Sequence, residues 1–408
     1  MKILHTADWH LGKKLNEYSR LEEQRAVLDE ICQLAEREAV DAVLIAGDLY
    51  DNFKPSNEAS ELFYATIHRL SAGGKRAVVA IAGNHDSADG IQAPDPLARA
   101  CGIVLAGRPT TTVTCSERDG CVSVVRSAPG FVELKLPHFD YPLRLLLTPY
   151  ANEALMRRFL GTEDQESELR TLLQDTWQQL ADAYCDAHGV NMMVAHLYFM
   201  QKDGPAPEEP DDEKPILHLG GAQAIYTENL PPQLQYVALG HLHRYQTVAE
   251  QPCPVVYSSS PLAYSFSEAN QPKFVVLIDA EPGRPVQTQS IRLQAGRKLL
   301  RKRFESPEAA LAWLPENPDT FLELTLVSDT YLDAPTKKAL YDSHDGIVSL
   351  IPELRTQTAE GEEEPTQKVD LSKDLKALFC DYFQARKGQQ PNEDLLALFD
   401  EVIDVDED

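Results

Sequence analysis

In this 408-residue chain, the residues best suited to chemistry stand at the ends of apolar runs. "KILHTADWH" closes on Asp8 and His10, "VLIAGDLYD" on Asp48 and Asp51, and "VVAIAGNHD" on Asn84, His85 and Asp86. "MMVAHLY" carries His196, and "YVALGHLH" carries His241 and His243 at i and i+2, on one face of an extended chain. Carboxylate, amide and imidazole donors without thiolate suit manganese or iron, with zinc possible. Two such cations about 3.5–4 Å apart would clamp a phosphate, polarise phosphorus and lower the pKa of a bound water. No serine or cysteine nucleophile is then needed. An aspartate lying between two histidine-bearing sets can bridge the cations through its two oxygens. A lone D-x-H or H-x-H is ordinarily structural, but five such ends in order are hard to produce by chance. His5, His68, His138, His188, His218 and His344 lack such a setting and read as surface or core groups.

Strands must place these ends. The first 107 residues alternate between two periods: the strand "KILHTAD" precedes a helix with Leu21, Val27, Leu28, Ile31 and Leu34 at helical spacing. "DAVLIAGD", "KRAVVAIAGNHD" and "IVLAG" read as further strands, separated by "SNEASELFYATIHRL" and "DPLARAC" as helices. That βαβαβαβ order predicts an α/β fold with a mostly parallel sheet, whose strand carboxyl ends are where ligands bind. Residues 110–150 turn to shorter alternating strands, followed by a helix near 165–185 and the strand "NMMVAHLY". The polar loop 201–215 leads to strands at "QYVALGH", "CPVVYSS" and "KFVVLID". After residue 290 come a basic stretch, "RLQAGRKLLRKRF", and a small α/β unit of its own.

Composition narrows the class. With 43% hydrophobic residues the chain can build a large core plus appendages, and no 18-residue apolar run predicts a membrane span. The opening segment holds Asp8 and His10, which no cleavable signal peptide would contain. Seven scattered cysteines without C-x-x-C point to a reduced, cytoplasmic compartment. A net charge of −26 argues against a general nucleic-acid coat. The charge is uneven, since residues 353–408 hold sixteen acidic and six basic side chains.

Together, D-x-H, G-D-x-x-D, G-N-H-D, a solitary strand-end histidine and G-H-x-H resemble the calcineurin-like metallophosphoesterases. The resemblance implies a four-layer αββα sandwich over residues 1–285, two sheets packed together with helices outside. It makes Asp8, His10, Asp48 and His243 the ligands of one metal, and Asp48, Asn84, His196 and His241 those of the other. It makes His85 the group that protonates the leaving oxygen, with Asp86 as its orienter. The stretches "ILHTADWHLGKKL", "VALGHLHRYQ" and "VVYSSSPLAYSFSEANQPKFVVLID" further resemble the nuclease subunits that work with SbcC-type coiled-coil ATPases. This implies two manganese ions, an exonuclease on double-strand ends that also opens hairpins, and an ATPase partner in a heterotetramer. Ser259 stands where that group carries glycine in Y-x-G-S-P.

The appendages fit the same picture. Arg292, Arg297, Lys298, Arg301, Lys302 and Arg303 form the dense basic cluster; such clusters are ordinarily solvated faces. The resemblance instead makes residues 290–352 a capping domain that touches DNA phosphates, aided by Lys13 and Lys14. It extends a DNA-positioning role to Asp51, although eukaryotic and archaeal relatives carry histidine there. An acidic linker, 353–370, leads to two helices within 371–408. Leu371, Leu375, Leu378, Phe379, Tyr382 and Phe383 form one apolar stripe, and Leu395, Leu396, Phe399, Val402 and Ile403 another. By resemblance this pair docks on the ATPase coiled coil, and helices within 55–70 and 90–101 are candidates for a homodimer contact. A free-standing phosphoesterase would explain the metals but not the last 115 or so residues.

Overall fold

The runs "AVLIA" (Ala42–Ala46) and "AVVAI" (Ala77–Ile81) contain no polar residue, as strands covered on both faces must. In the computed structural model every residue of both is buried, and alternate side chains enter different cores. Val43, Ile45, Val78 and Ala80 meet Val27, Leu28 and Ile31 of the helix Leu21–Arg37 and Phe63 and Ile67 of the helix Asn57–Leu70. Ala42, Leu44, Ala46, Val79 and Ile81 face a second sheet, against Met192, Val194, Tyr236 and Ala238. The structure describes residues 1–151, 165–208, 224–328 and 332–354, with Lys376, Leu378, Phe379, Cys380, Phe383, Pro391, Leu395, Leu396 and Phe399 beyond them.

The first sheet has six strands in the order 287–292, 274–279, 2–6, 42–46, 77–81, 103–106; the last four are parallel. The second has seven, in the order 246–249, 255–257, 236–240, 190–196, 143–148, 131–135, 123–128. Its four strands from 255–257 to 143–148 are parallel. The outer face of this sheet, Met193, Ala195, Val237 and Leu239, packs on Leu169, Leu173 and Trp177 of the helix Gln165–Tyr184. This is the expected αββα sandwich. His5 is a core group, with its ring nitrogens 3.0 Å from the Tyr236 hydroxyl and 3.1 Å from the Leu239 carbonyl across the sheet interface.

The appended α/β unit differs from expectation at its start. Gln287–Arg292 is the edge strand of the first sheet, so Arg292 belongs to the main body. The basic stretch contains a strand, Lys298–Phe304, which opens a three-stranded parallel sheet with Thr320–Ser328 and Ile347–Leu354. Its charges mask it, since of seven residues only Leu299 is buried. Met1–Leu354 forms one compact unit and Arg355–Asp408 another. In the latter Phe379 stacks on Phe399, centroids 4.2 Å apart, and lies 5.9 Å from Phe383. Leu378, Leu395 and Leu396 are half-buried; Leu371, Leu375, Tyr382, Val402 and Ile403 lie outside the described residues. Among the described residues no helix is long and apolar enough to cross a membrane.

Ser259 resolves the one departure in the Y-x-G-S-P turn. It is fully buried with φ 78°, the left-handed region that glycine favours. Its hydroxyl accepts from the Phe274 N–H at 2.9 Å and donates to the Ser260 carbonyl at 3.1 Å. These bonds offset a backbone cost of about 1–2 kcal/mol. Ser259→Ala keeps the same Cβ but strands the buried Phe274 N–H. Denaturant unfolding of that variant should show a loss of about 1–3 kcal/mol; unchanged stability would contradict this account of the turn.

Candidate metal centre

The strand ends converge. Asp8, His10 and His243 form one group, and Asp48, His196 and His241 a second, with the ligand atoms of each group within 4.8 Å of one another. Asn84 joins the second, its Oδ1 3.0 Å from His196 Nε2 and 3.0 Å from His241 Nδ1. All seven expected ligands are thus together, drawn from both sheets. Four of them, Asp8, His10, Asp48 and His241, hold φ between 44° and 103°. Non-glycine residues there store strain, and such strain clusters at functional sites. Gly47 shows how tight the assembly is: a Cβ at this position would sit 2.2 Å from His196 Nδ1.

Asp48 stands between the groups, but not with one oxygen for each. Oδ1 accepts the backbone N–H of His85 at 2.9 Å. Oδ2 alone faces both sets, 3.3 Å from His196 Nε2 and 3.5 Å from His10 Nε2. Asp48 is thus placed where both groups would share it, with Oδ2 the oxygen nearer to the two imidazoles.

The donors fit cations. Asp8 Oδ2 is buried without a hydrogen-bond partner among the described residues, an arrangement that is costly in a dry site. His10 Nε2 and His243 Nε2 lie 3.0 Å apart. A cation uses both lone pairs where a hydrogen bond would use one. His196 donates Nδ1–H to the Ala46 carbonyl at 2.8 Å, which leaves Nε2 unprotonated when the ring is neutral, as a ligand must be.

Burial alone would raise the Asp48 carboxyl, but the imidazoles of His196 and His10 beside it hold it well below the usual range. The reciprocal effect on His196 outweighs burial: the Asp48 and Asp8 carboxylates raise it to about 9. Burial pushes Asp8 up to about 7, against the pull of His196 and His243. It lowers His241 to about 3, helped by the charge on His196, and lowers His10 as well.

His85 lies beside this set, its ring 4.8 Å from that of His10. Its orienter is not Asp86. His85 Nδ1 is 2.9 Å from the main-chain carbonyl of Asp51, so Nδ1 carries a proton and Nε2 is the atom that exchanges one. Asp86 instead accepts the backbone N–H groups of Leu49, Tyr50 and Gly83 at 3.0, 2.9 and 2.8 Å. It clamps the second strand end to the third and does not touch the chemistry directly. Burial and the Asp48 charge raise it to about 6 against those three donors.

Among the basic candidates, Lys13 reaches the site edge, pairing with Asp51 at 3.1 Å; Lys14 is exposed on the following hairpin. The cluster in the appended unit is largely neutralised within that unit. Arg297 pairs with Asp345 at 3.2 Å, Arg301 with Glu323 at 2.8 Å and Arg303 with Glu353 at 2.8 Å. Lys302 lies over the Trp313 ring, 5.2 Å from its centroid, and Lys298 is exposed.

Four residues that belong to none of the strand-end motifs hold the first group. Gln24 donates to the His10 carbonyl at 2.8 Å, and the Tyr264 hydroxyl donates to the Trp9 carbonyl. Glu268 approaches His243 Nδ1 at 3.5 Å, and Lys273 donates to the His243 carbonyl at 2.8 Å. For Glu268 and Lys273 the available signal was a lone pair of opposite charges within "SSSPLAYSFSEANQPKFVV".

Residues 1–245 match the calcineurin-like phosphoesterase family. A Bacillus subtilis protein, named as the SbcD component of nuclease SbcCD, is 33% identical over 409 residues, covering 98% of this chain and 97% of its own. The Escherichia coli K12 protein of the same name is 30% identical, covering 88% of this chain and 86% of its own. A solved dimetal phosphatase from Danio rerio is 13% identical with a TM-score of 0.37, covering 71% of this chain and 98% of its own.

Without a cation, His196 holds a proton below about pH 9 and Asp8 below about pH 7. Loading displaces those protons, so apparent affinity should rise with pH across that interval. Calorimetric manganese titrations in two buffers of different ionisation enthalpy should show proton release. Binding that is independent of pH and of buffer would contradict this electrostatic reading.

Proposed function

The chain belongs to the calcineurin-like phosphoesterase family and, within it, to the SbcD components of the SbcCD nucleases; on that footing we propose a manganese-dependent DNA nuclease subunit. Its substrates are double-strand ends and hairpins, and it acts in DNA end processing at the nucleoid in the cytoplasm. The assembly of two histidine–carboxylate groups around Asp48 Oδ2 supports dimetal phosphoester chemistry, and similarity to a nuclease component along nearly the whole chain carries the choice of DNA. A free-standing phosphoesterase would explain that assembly. It would not explain 33% identity to a nuclease component over 98% of the chain.

When bound, the two cations supply a polarised phosphorus and a water of lowered pKa. The chain's own residues supply the remainder. Asp8, His10, Asp48 and His243 hold one side, and Asp48, Asn84, His196 and His241 the other. The Asp51 carbonyl fixes His85 Nδ1–H, leaving Nε2–H of the imidazolium to protonate the leaving oxygen as its bond to phosphorus breaks. Lys13, turned to the edge by the Asp51 carboxylate, meets the phosphate backbone there, with Lys14 beyond it.

The proposed partner is an SbcC-type coiled-coil ATPase, in a heterotetramer. Its anchor is the terminal helical pair, in which Phe379 of one stripe stacks on Phe399 of the other. The proposed homodimer contact uses residues 55–70 and 90–101, where Tyr64 is 40% and Leu97 77% exposed.

His85→Ala tests the reading on the full chain. With manganese, the wild type should shorten an end-labelled duplex and open a hairpin, and the variant should keep both ions. Its rate on DNA should fall by about 10²–10⁴-fold, with a smaller loss on a nitrophenyl phosphodiester, whose leaving group needs no proton. An equal loss on both substrates would refute the acid role. A wild type that cuts the small ester but no DNA would favour the free-standing phosphoesterase.

A further inference from the structure

Behind His243 lies a buried ion pair that neither the ligand set nor the acid uses. Glu268 is 0% and Lys273 7% exposed, and their carboxylate and ammonium groups are in direct contact. Burying two charges costs several kcal/mol each, about as much as their attraction returns, so an apolar pair of similar volume would hold a turn as well. The pair therefore needs a second reason. Its contacts supply one. Lys273 Nζ donates to the His243 carbonyl at 2.8 Å and to Ser260 Oγ at 2.9 Å. Glu268 Oε1 accepts the Tyr264 N–H at 3.0 Å and stands 3.5 Å from His243 Nδ1. The opposite ring nitrogen, Nε2, is the one that faces His10 at 3.0 Å.

We propose that Glu268 is a positioning residue for His243, with Lys273 as its buried counter-charge, and that together they set the affinity of the cation site shared by Asp8, His10 and His243. A carboxylate at Nδ1 keeps the proton on that nitrogen, fixes the ring and makes Nε2 a more basic ligand. Lys273 keeps the carboxylate ionised in a dry setting and ties it to the main chain of the same histidine. The second site does this differently, since His196 rests on the neutral Ala46 carbonyl. The two sites thus depend on different supports, and one can be weakened without the other. Glu268 ends the short turn Phe266–Glu268, and Phe266 packs on Leu15, Leu299 and Phe321. The support is therefore built where the appended unit meets the main body.

The inference rests on the reading that these residues hold cations, and its test separates the two. Manganese binding is measured on the full chain by calorimetry, with thermal melting and circular dichroism as controls for the fold. Wild type should bind two ions. Glu268→Gln keeps an acceptor for the Tyr264 N–H and should lose about 10–100-fold in affinity for one ion, leaving the other unchanged. The double variant Glu268→Gln/Lys273→Met removes the unpaired ammonium as well; it should fold and show the same selective loss, and it decides the matter if the single variant does not fold. Two ions at wild-type affinity in a folded variant would overturn the role of Glu268 alone. Equal weakening of both sites with a lowered melting temperature would mark the pair as merely structural. A wild type that binds no ion would overturn the cation reading itself.

Discussion

The hydrogen bond from His196 Nδ1 to the Ala46 carbonyl, 2.8 Å across the interface, ties the two sheets where their strand ends meet. His5 makes the reciprocal crossing, from the first sheet to Tyr236 and Leu239 of the second. The sheets can come this close because small residues line the interface there. Gly240 is the limit: a Cβ on it would lie 1.9 Å from the same Ala46 carbonyl. Every distance between a ligand of one sheet and a ligand of the other follows from this approach, since Asp8, His10, Asp48 and Asn84 come from one sheet and His196, His241 and His243 from the other. A wider gap would leave two half-sites.

Close approach alone would not aim the side chains. The strand ends turn through left-handed backbone at Asp8, His10, Asp48 and His241, at about 1–2 kcal/mol each. The surroundings hold them there by buried polar contacts. Asp86 grips three backbone N–H groups, Asp8 Oδ1 accepts the His241 N–H at 2.9 Å, and Asp48 Oδ1 accepts that of His85. Several carboxylates that look interchangeable in the sequence thus have separate duties. Some face the shared centre, and some hold the loops that carry those that do.

Much of this was legible beforehand because it follows from period and position. Apolar runs that end in Asp, Asn or His identify parallel strands and the edge they share, so all seven expected ligands assemble. What escaped the reading depends on main-chain atoms or distant partners. The orienter of His85 is a carbonyl, which no side-chain pattern reports. Which oxygen of Asp48 lies nearer to both groups is set by where the His85 N–H falls. Glu268 and Lys273 sit in an ordinary-looking turn, and only their burial behind His243 gives them away. Arg297 and Arg301 read as part of a free basic patch because Asp345 and Glu323 lie 20 or more positions away in the chain.

The central claim is that side chains from two sheets form one centre that would hold two cations, with Asp48 between them. Electron paramagnetic resonance of the full chain loaded with two equivalents of manganese tests it most directly. Two manganese ions held together by Asp48 would be exchange-coupled, so a coupled spectrum is expected in the wild type. In Asp48→Asn, with the fold retained, the signal of isolated ions or the loss of one is expected. Two uncoupled ions in the wild type, or coupling undiminished in Asp48→Asn, would contradict the claim.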